Sequence, residues 1–324
     1  MRPPPALPCR AASGLVAATL VLGLLASPAG AEPAARVRLN GVPAPVYFND
    51  GDSFRVLDGM HSGGKARLGG FNTLETPGPV HQWGRWTARE LYINSKMATL
   101  NGRRGVWSCT SDMATDTYGR TLWWCPDLAA DQIRKGLAHA MSVTEQPADA
   151  RLLAVQAEAI AARRGMWAHG VPEYILTSVH SADTDIEGRG TYNRLVSTKD
   201  GSSLRWMHDE VHTECTVVCD EGVDTRPRTE AAIAALRADP TTKGLLTAAA
   251  YTEPRRMTLL VNDFLRGRPF GKRLVDAAHE APVRAILEAR RATGELGRAV
   301  SVPSCMTHVL FERRYGGGKA ACLK

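Results

Sequence analysis

The chain has 324 residues, of which 44% are hydrophobic and 23% are charged, a balance that supports a packed core in two ordinary domains or one enlarged domain. Its formal charge of +7 and pI near 9.2 fit a polyanionic partner, although a basic soluble surface explains the same charge equally well. After residue 31 no apolar run is long enough to span a bilayer, which excludes a protein built from transmembrane helices.

The N-terminus has the pattern of an export signal. Arg2 and Arg10 supply positive charge, and residues 14–25 form an apolar stretch that is short for a membrane span. A small-residue Ala-Gly-Ala pattern ends at Ala31. We therefore predict a signal peptide over residues 1–31, cleaved near Ala31, and a secreted, periplasmic or envelope-associated protein without stable membrane insertion.

The cysteine content predicts disulfide bonds. Apart from Cys9, which precedes the apolar stretch, the chain has Cys109, Cys125, Cys215, Cys219, Cys305 and Cys322. An even number in an exported protein indicates bridges. We predict a Cys109–Cys125 bridge and pairing among the other four cysteines, for which a zinc site is the alternative.

Residues 35–57 are predicted to form strands, because β-forming Val and Phe residues occur there between turn signals. One such signal is Asn-Asp-Gly-Asp at residues 49–52. By itself this motif is most simply an ordinary Asp-Gly hairpin turn.

A second strand, predicted over residues 65–71, carries Arg67. Asn72, Thr73 and Glu75 follow it directly. A simple ion pair at a strand end would explain the arginine and the carboxylate, but not the other oxygen ligands. Metal-assisted attack on a phosphodiester explains the whole group, since arginine holds phosphate oxygens, oxygen ligands hold a hard cation, and a carboxylate handles the attacking water.

Helices and a further pair of strands come next. Apolar residues at helical spacing predict a helix over residues 86–97. Two strands, at residues 105–109 and 120–125, are joined by a loop that ends in Asp-Thr-Tyr-Gly-Arg at residues 116–120. Arginine at its end, rather than lysine, suits a bidentate grip on phosphate. Two more helices are predicted over residues 128–139 and 148–164.

Taken together, residues 46–167 resemble the staphylococcal (micrococcal) nuclease family, also called thermonucleases. The matching pieces are the Asp-Gly-Asp turn, the Arg-x4-Asn-Thr-x-Glu run, the Asp-x-Tyr-Gly-Arg motif, a Gly-Leu-Ala helix end and an Arg-rich helix that ends in Trp. Each piece is weak alone, and their shared order and spacing make the resemblance specific. It covers a little over a third of the chain.

The resemblance implies an α+β fold in which a five-stranded OB-fold β-barrel carries three helices, over residues 32–168. Residues 169–324 are then a disulfide-bonded α+β C-terminal extension of unknown role. Within it, strands are predicted at residues 174–179 and 192–196, and an Ala- and Arg-rich helical insertion at about residues 225–297.

The family's chemistry transfers to matching positions of this sequence. The implied catalytic residues are Arg67, Glu75 and Arg120. The implied calcium ligands are Asp52, Asn72 and, through its backbone carbonyl, Thr73, and Tyr118 lines the substrate site. The implied activity is a calcium-dependent endonuclease, a phosphodiesterase that acts on DNA, with RNA as a further candidate, and shows little sequence specificity.

Three departures from the type member of the family motivate an alternative. Asn72 stands where that protein has Asp, which predicts weaker calcium binding, and Leu74 stands where it has Pro. Residues 141–143 stand where it has tyrosines that contact the nucleotide. The alternative is a catalytically weak or inactive nucleic-acid-binding or envelope interaction protein. In the extension, His208 and His212 are expected to be exposed beside disulfides rather than to bind metal.

Overall fold

The structure is a computed structural model that describes residues 35–75, 78–184, 191–220, 226–296, 302–310, 312–313 and 318–323. The predicted signal peptide, residues 1–31, lies outside the described residues. From Ala34 onward the chain forms one compact unit. The predicted boundary near residue 168 falls inside this unit, and the division into two domains stays a prediction.

The described part of the first half of the chain contains nine strands and three helices. The strands are β1 (Ala35–Leu39), β2 (Val42–Phe48), β3 (Ser53–Val56), β4 (Lys65–Leu68), β5 (Phe71–Thr73), β6 (Val80–Trp83), β7 (Val106–Cys109), β8 (Thr121–Trp123) and β9 (Ala138–Ala140). The helices are α1 (Ala88–Arg104), α2 (Pro126–Arg134) and α3 (Ala150–Ala161). Helix α1 begins after Thr87, whose side chain forms a capping box with Glu90.

The main sheet has six strands in the order β7-β1-β2-β3-β4-β8 and curls into a half-barrel. Its core contains Phe48, Phe54 and Trp123, each at most 2% exposed. At one end the edges meet, since Thr110 and Trp124 exchange backbone hydrogen bonds of 2.9 and 2.8 Å beside the predicted Cys109–Cys125 disulfide. The α+β class is confirmed, and a closed five-stranded barrel stays a prediction.

Two predicted elements end earlier than expected, in each case at glycine. The strand predicted over residues 65–71 stops at Leu68, and after Gly70, which has a φ of 88°, the chain continues as β5 paired with β9. The helix predicted over residues 128–139 stops at Arg134. Gly136 has a φ of 66°, and a Cβ there would lie 2.1 Å from the carbonyl oxygen of Arg164. Residues 138–140 are therefore strand β9.

In the second half, the described residues form five strands and four helices. The strands are β10 (Tyr174–Ser178), β11 (Tyr192–Ser197), β12 (Ser203–Met207), β13 (Val217–Cys219) and β14 (Ser304–Thr307). The helices are α4 (Arg226–Ala238), α5 (Pro240–Lys243), α6 (Pro254–Leu265) and α7 (Glu280–Ala292). Strands β10, β11 and β12 form one sheet, and the helices enclose their own core around Leu260 and Phe264. Helices α4 to α7 lie within the range predicted as a helical insertion, and the insertion itself stays a prediction.

The four cysteines of the extension pair with one another, as predicted. The bridges are Cys215–Cys322 and Cys219–Cys305. The zinc alternative is therefore wrong, because a disulfide leaves no thiolate to bind a metal. Three disulfides are typical of an oxidising, extracytoplasmic compartment. No helix in the described ranges combines the length and apolar character needed to cross a membrane.

The expectation of exposed histidines in the extension is wrong. His208 and His212 are buried, at 3% and 5% exposure. His208 accepts a hydrogen bond from the Glu210 backbone N–H at Nδ1 (3.1 Å), and its Nε2 donates to Asn193 Oδ1 (3.1 Å). Since both ring nitrogens have partners, the neutral imidazole can be buried without a charge.

Candidate functional site

Strand β4 presents Arg67 on the outer face of the curled sheet. Its neighbours Ala66 and Leu68 point into the core, each 1% exposed, so alternation along the strand turns Arg67 outward. The side chain is 21% exposed. Its Nη1 donates to Asp52 Oδ1 and its Nη2 donates to Asn72 Oδ1. One guanidinium thus joins two of the three predicted calcium ligands.

The Asp-Gly-Asp turn packs against the end of β5. Asp52 is 3% exposed, and its Oδ2 accepts hydrogen bonds from the backbone N–H (2.7 Å) and the hydroxyl (3.1 Å) of Thr73. A Cβ at position 51 would lie 2.5 Å from Thr73 Cγ2 and 2.7 Å from Ala98 Cβ. Gly51 is therefore required by close packing beneath the site, and the motif does more than form a turn.

Asn72 is held in one orientation by a short chain of hydrogen bonds. Its Nδ2 donates to the carbonyl oxygen of Thr73 (2.8 Å) and lies 3.5 Å from Nε2 of His139. The ring of His139 donates from Nδ1 to the Ala140 carbonyl (3.2 Å), so its Nε2 is the accepting nitrogen. Burial lowers the pKa of His139 to about 4, which keeps the ring neutral. Asn72 Oδ1 consequently faces Arg67.

Glu75 and Asp50 add negative charge beside this group. The neighbouring charges of Asp52, Asp50 and Glu75 outweigh the burial of Arg67 and raise its pKa above the ordinary value. Burial, then the charges of Asp52 and Glu75, raise the pKa of Asp50 to about 7. We did not predict Asp50 as a site residue. Its spacing of two residues from Asp52 was the available signal.

The second predicted arginine has a different partner. Arg120 donates from Nε and Nη2 to Asp116 Oδ2, at 2.7 and 2.6 Å. It comes directly before β8, two residues ahead of Leu122, which is the cross-strand partner of Arg67. The charge of Asp116 also raises the pKa of Arg67. Asp116 thus forms an ion pair with Arg120 and also acts on the charge of Arg67, which indicates that the two arginines lie near each other.

Two exposed aromatic rings accompany the arginines. Tyr118 is 73% exposed, and the Arg120 guanidinium lies 5.4 Å from its ring centroid. Trp124 is 51% exposed, whereas its neighbour Trp123 belongs to the core. The Trp124 ring lies over Gly69, where a Cβ would come within 2.7 Å of ring carbons. The sequence could not tell which tryptophan is exposed, because that choice depends on the pairing of β8 with β4.

The predicted ligand set suits a hard cation. Asp52, Asn72 and the Thr73 carbonyl offer only oxygen, which is the donor that calcium prefers. Asp50, Asp52 and Glu75 add negative charge that acts on Arg67 and raises its pKa. Within the described ranges, no group of three or more His, Cys, Asp and Glu side chains is arranged to hold a metal. Such a group would not include an amide or a backbone carbonyl, and the predicted set depends on both.

No family model matches the chain, and a search of curated proteins also returns no match. The resemblance to the nuclease family thus remains an interpretation of motifs, and the function is argued from the geometry and charge of the site.

Proposed function

We propose that this chain is an exported, calcium-dependent nuclease of the staphylococcal nuclease type, with the curled sheet corresponding to the five-stranded OB-fold barrel of that family. It would hydrolyse phosphodiester bonds of DNA, with RNA as a further candidate, and show little sequence specificity. One observation carries the proposal. The charges of Asp50, Asp52 and Glu75 all act on the guanidinium of Arg67, and burial, then the repulsion from Asp52 and Glu75, raises the pKa of Asp50 to about 7. A divalent cation would relieve this repulsion.

Each residue of the site has a role in this reaction. Arg67 and Arg120 would bind the phosphate and stabilise the charge that develops on it. Glu75 would orient the attacking water or remove its proton. Bound calcium, held by Asp52, Asn72 and Thr73, would polarise the phosphate and lower the pKa of water. By resemblance, the 5′ oxygen leaves and the product carries a 3′-phosphate.

Backbone-directed contacts explain the proposed lack of sequence specificity. Arg67 and Arg120 suit phosphate oxygens, which are common to every nucleotide. Tyr118 and Trp124 offer exposed ring faces on which any base can stack. Binding should therefore weaken steeply as salt concentration rises, because each phosphate contact releases counterions.

A second candidate is a nucleic-acid-binding protein without turnover. It is favoured by the hydrogen bonds that Arg67 makes to Asp52 and Asn72, because these occupy oxygens that calcium needs. In the nuclease, Arg67 must leave at least one of these oxygens when phosphate and calcium bind. In a binding protein, the arginine could remain where it is.

Digestion of DNA by the purified mature protein separates the two candidates. We expect calcium-dependent activity that a chelator abolishes, and a loss of roughly a thousandfold in Glu75→Gln, as for removal of a general base. Glu158→Gln is a matched control, because Glu158 is exposed on helix α3. Equal digestion rates with calcium, with chelator and in Glu75→Gln would contradict the nuclease. DNA binding in a gel-shift assay without any digestion would support the second candidate.

A further inference from the structure

The strand that follows Glu75 belongs to a sheet completed by the far end of the chain. Strand β6 pairs antiparallel with β14, so that His81 lies opposite Met306 and Gln82 opposite Cys305. The sheet order is β13-β14-β6, which makes β6 an edge strand with β14 as its one partner among the described strands. The strand that follows Glu75, the candidate general base, is thus held in place by residues more than two hundred positions away.

His81 connects this sheet to Glu75. The imidazole is 1% exposed, and its Nε2 accepts a hydrogen bond of 3.1 Å from the backbone N–H of Glu75. An accepting Nε2 requires the neutral ring with its proton on Nδ1. Burial, reinforced by the nearby His139, lowers the pKa of His81 to about 3, which preserves this neutral form. The contact therefore fixes the backbone from which the Glu75 carboxylate projects.

Strand β14 is held within the extension by a disulfide and by hydrogen bonds. Cys305 is bonded to Cys219 of β13. The Ser304 backbone N–H donates to Asp220 Oδ1 (2.8 Å), and the Ser304 hydroxyl accepts from the Leu176 backbone N–H (3.0 Å). Asp220 is fully buried. A covalent bond and two buried hydrogen bonds thus anchor the strand on which β6 depends.

We propose that His81 is a positioning residue for Glu75, and that β14 of the C-terminal extension holds His81 in place. The extension is then part of the machinery that sets the geometry of the candidate base, and not an accessory that can be removed without effect on the chemistry. The catalytic consequence rests on the proposed nuclease function, whereas the structural link between His81 and Glu75 does not.

Kinetics of full-length variants test the catalytic consequence. His81→Phe keeps an aromatic ring but removes the acceptor, and we expect kcat to fall roughly tenfold with KM for DNA nearly unchanged. His81→Gln supplies an acceptor on a side chain of similar reach and should recover most of the loss. Gln82→Leu is the matched control, because Gln82 is the exposed residue of the same strand. An unchanged kcat in His81→Phe would overturn the proposal.

A double-mutant comparison separates positioning from a general structural effect. If His81 acts through Glu75, then His81→Phe should have no further effect on kcat in the Glu75→Gln background. A tenfold loss in both backgrounds would show that His81 affects activity by another route and would overturn the proposal.

Hydrogen exchange provides a readout that does not depend on activity. We expect exchange of the Glu75 amide to rise at least roughly tenfold in His81→Phe. The double variant Cys219→Ser, Cys305→Ser removes the disulfide that anchors β14 and should give the same rise, so it serves as the test if His81→Phe does not fold. Faster exchange in the variants, together with a wild-type protein that fails to digest DNA, would refute the nuclease while keeping the structural link. Normal digestion with unchanged exchange in both variants would refute the link alone.

Discussion

Two clusters of arginines and carboxylates differ in how their charges balance. The site cluster comprises Arg67 with Asp50, Asp52 and Glu75. The extension cluster comprises Asp209, Glu210 and Asp263 with Arg266, Arg268, Lys272 and Arg273. In the extension cluster each carboxylate has an ion-pair partner, whereas in the site cluster the charges of Asp50, Asp52 and Glu75 all act on the guanidinium of Arg67.

The pKa shifts of Asp209 and Asp50 follow from this difference, although burial also raises the pKa of Asp263 within the extension cluster. Hydrogen bonds from Arg273 hold the pKa of Asp209 well below its usual range. In the site cluster, by contrast, the pKa of Asp50 rises to about 7. Ion pairs such as those of the extension cluster stabilise a fold. A carboxyl group with a raised pKa beside other carboxylates, as in the site cluster, is typical of a place where an ion or substrate binds.

A surface depression of about 290 Å³ lies beside the extension cluster and is lined partly by Asp209, Arg256 and Arg273. Its size alone does not indicate a functional site. Arg273 is bound to Asp209 and Asp263, and Arg256 donates to the backbone carbonyls of Lys272 and Arg273. Several of the donors that line the depression are therefore already engaged in hydrogen bonds within the protein.

The largest expected difference between the clusters is in folding stability. Arg273→Met leaves Asp209 and Asp263 without their buried partner, and we expect a loss of about 3–5 kcal/mol in the free energy of unfolding. The rate of DNA digestion per folded molecule should not change. Urea unfolding measures the loss, with the exposed Lys272→Met as control. An unfolding midpoint of Arg273→Met equal to that of the wild-type protein would show that the extension cluster does not stabilise the fold.

Arg120→Lys, at the second predicted catalytic arginine, should show the opposite pattern, with a large effect on activity and a small effect on stability. We expect kcat for DNA to fall roughly a hundredfold, because lysine cannot grip phosphate through two parallel donors. Stability should change little, since the pair with Asp116 is partly exposed. Calcium-dependent digestion and urea unfolding of the same preparation give both values. A large loss of stability with normal kcat would reverse the assignment of roles.

Asn72→Asp should tighten calcium binding roughly tenfold, because it adds negative charge to an oxygen ligand. Calorimetric titration with calcium measures the change, and Asn40→Asp, in the turn between β1 and β2, is a control of equal charge. Without calcium, Asn72→Asp should be about 1 kcal/mol less stable than the wild-type protein, since the Nδ2 donor to the Thr73 carbonyl disappears. Unchanged calcium affinity would argue against position 72 as a ligand.

A smaller effect concerns pH and the neutral histidines of the extension. Burial lowers the pKa of His208 to about 4. Between pH 6.5 and pH 4 the unfolded chain binds a proton that folded His208 does not, so stability falls as pH falls through this window. We expect His208→Gln to reduce the loss of stability between pH 7.5 and pH 5.8 by about 1 kcal/mol. Urea unfolding at both pH values, with exposed His169→Gln as control, checks this expectation, and an unchanged pH dependence would contradict it.

The sequence by itself determined the features that depend on residues close together in the chain, namely the strands and the adjacent residues of the site. Spacing and composition predicted the strands of the curled sheet. Pro240 and Pro254 each occupy the first turn of a helix, where the missing backbone N–H costs nothing. Arg67, Asn72 and Thr73 were predicted as a group because they are adjacent in the chain, and the structure joins them through hydrogen bonds.

Only the tertiary structure decided which distant groups meet. The pairing of β6 with β14 and the choice of partners among the four cysteines of the extension depend on chain segments far apart in sequence. The contact between His81 and Glu75 depends on the position of β6 in that sheet. The raised pKa of Asp50 likewise depends on charges brought together by folding. Local propensity describes how a segment folds, but strand partners, burial and electrostatic environment are set by contacts that the whole chain must form at once.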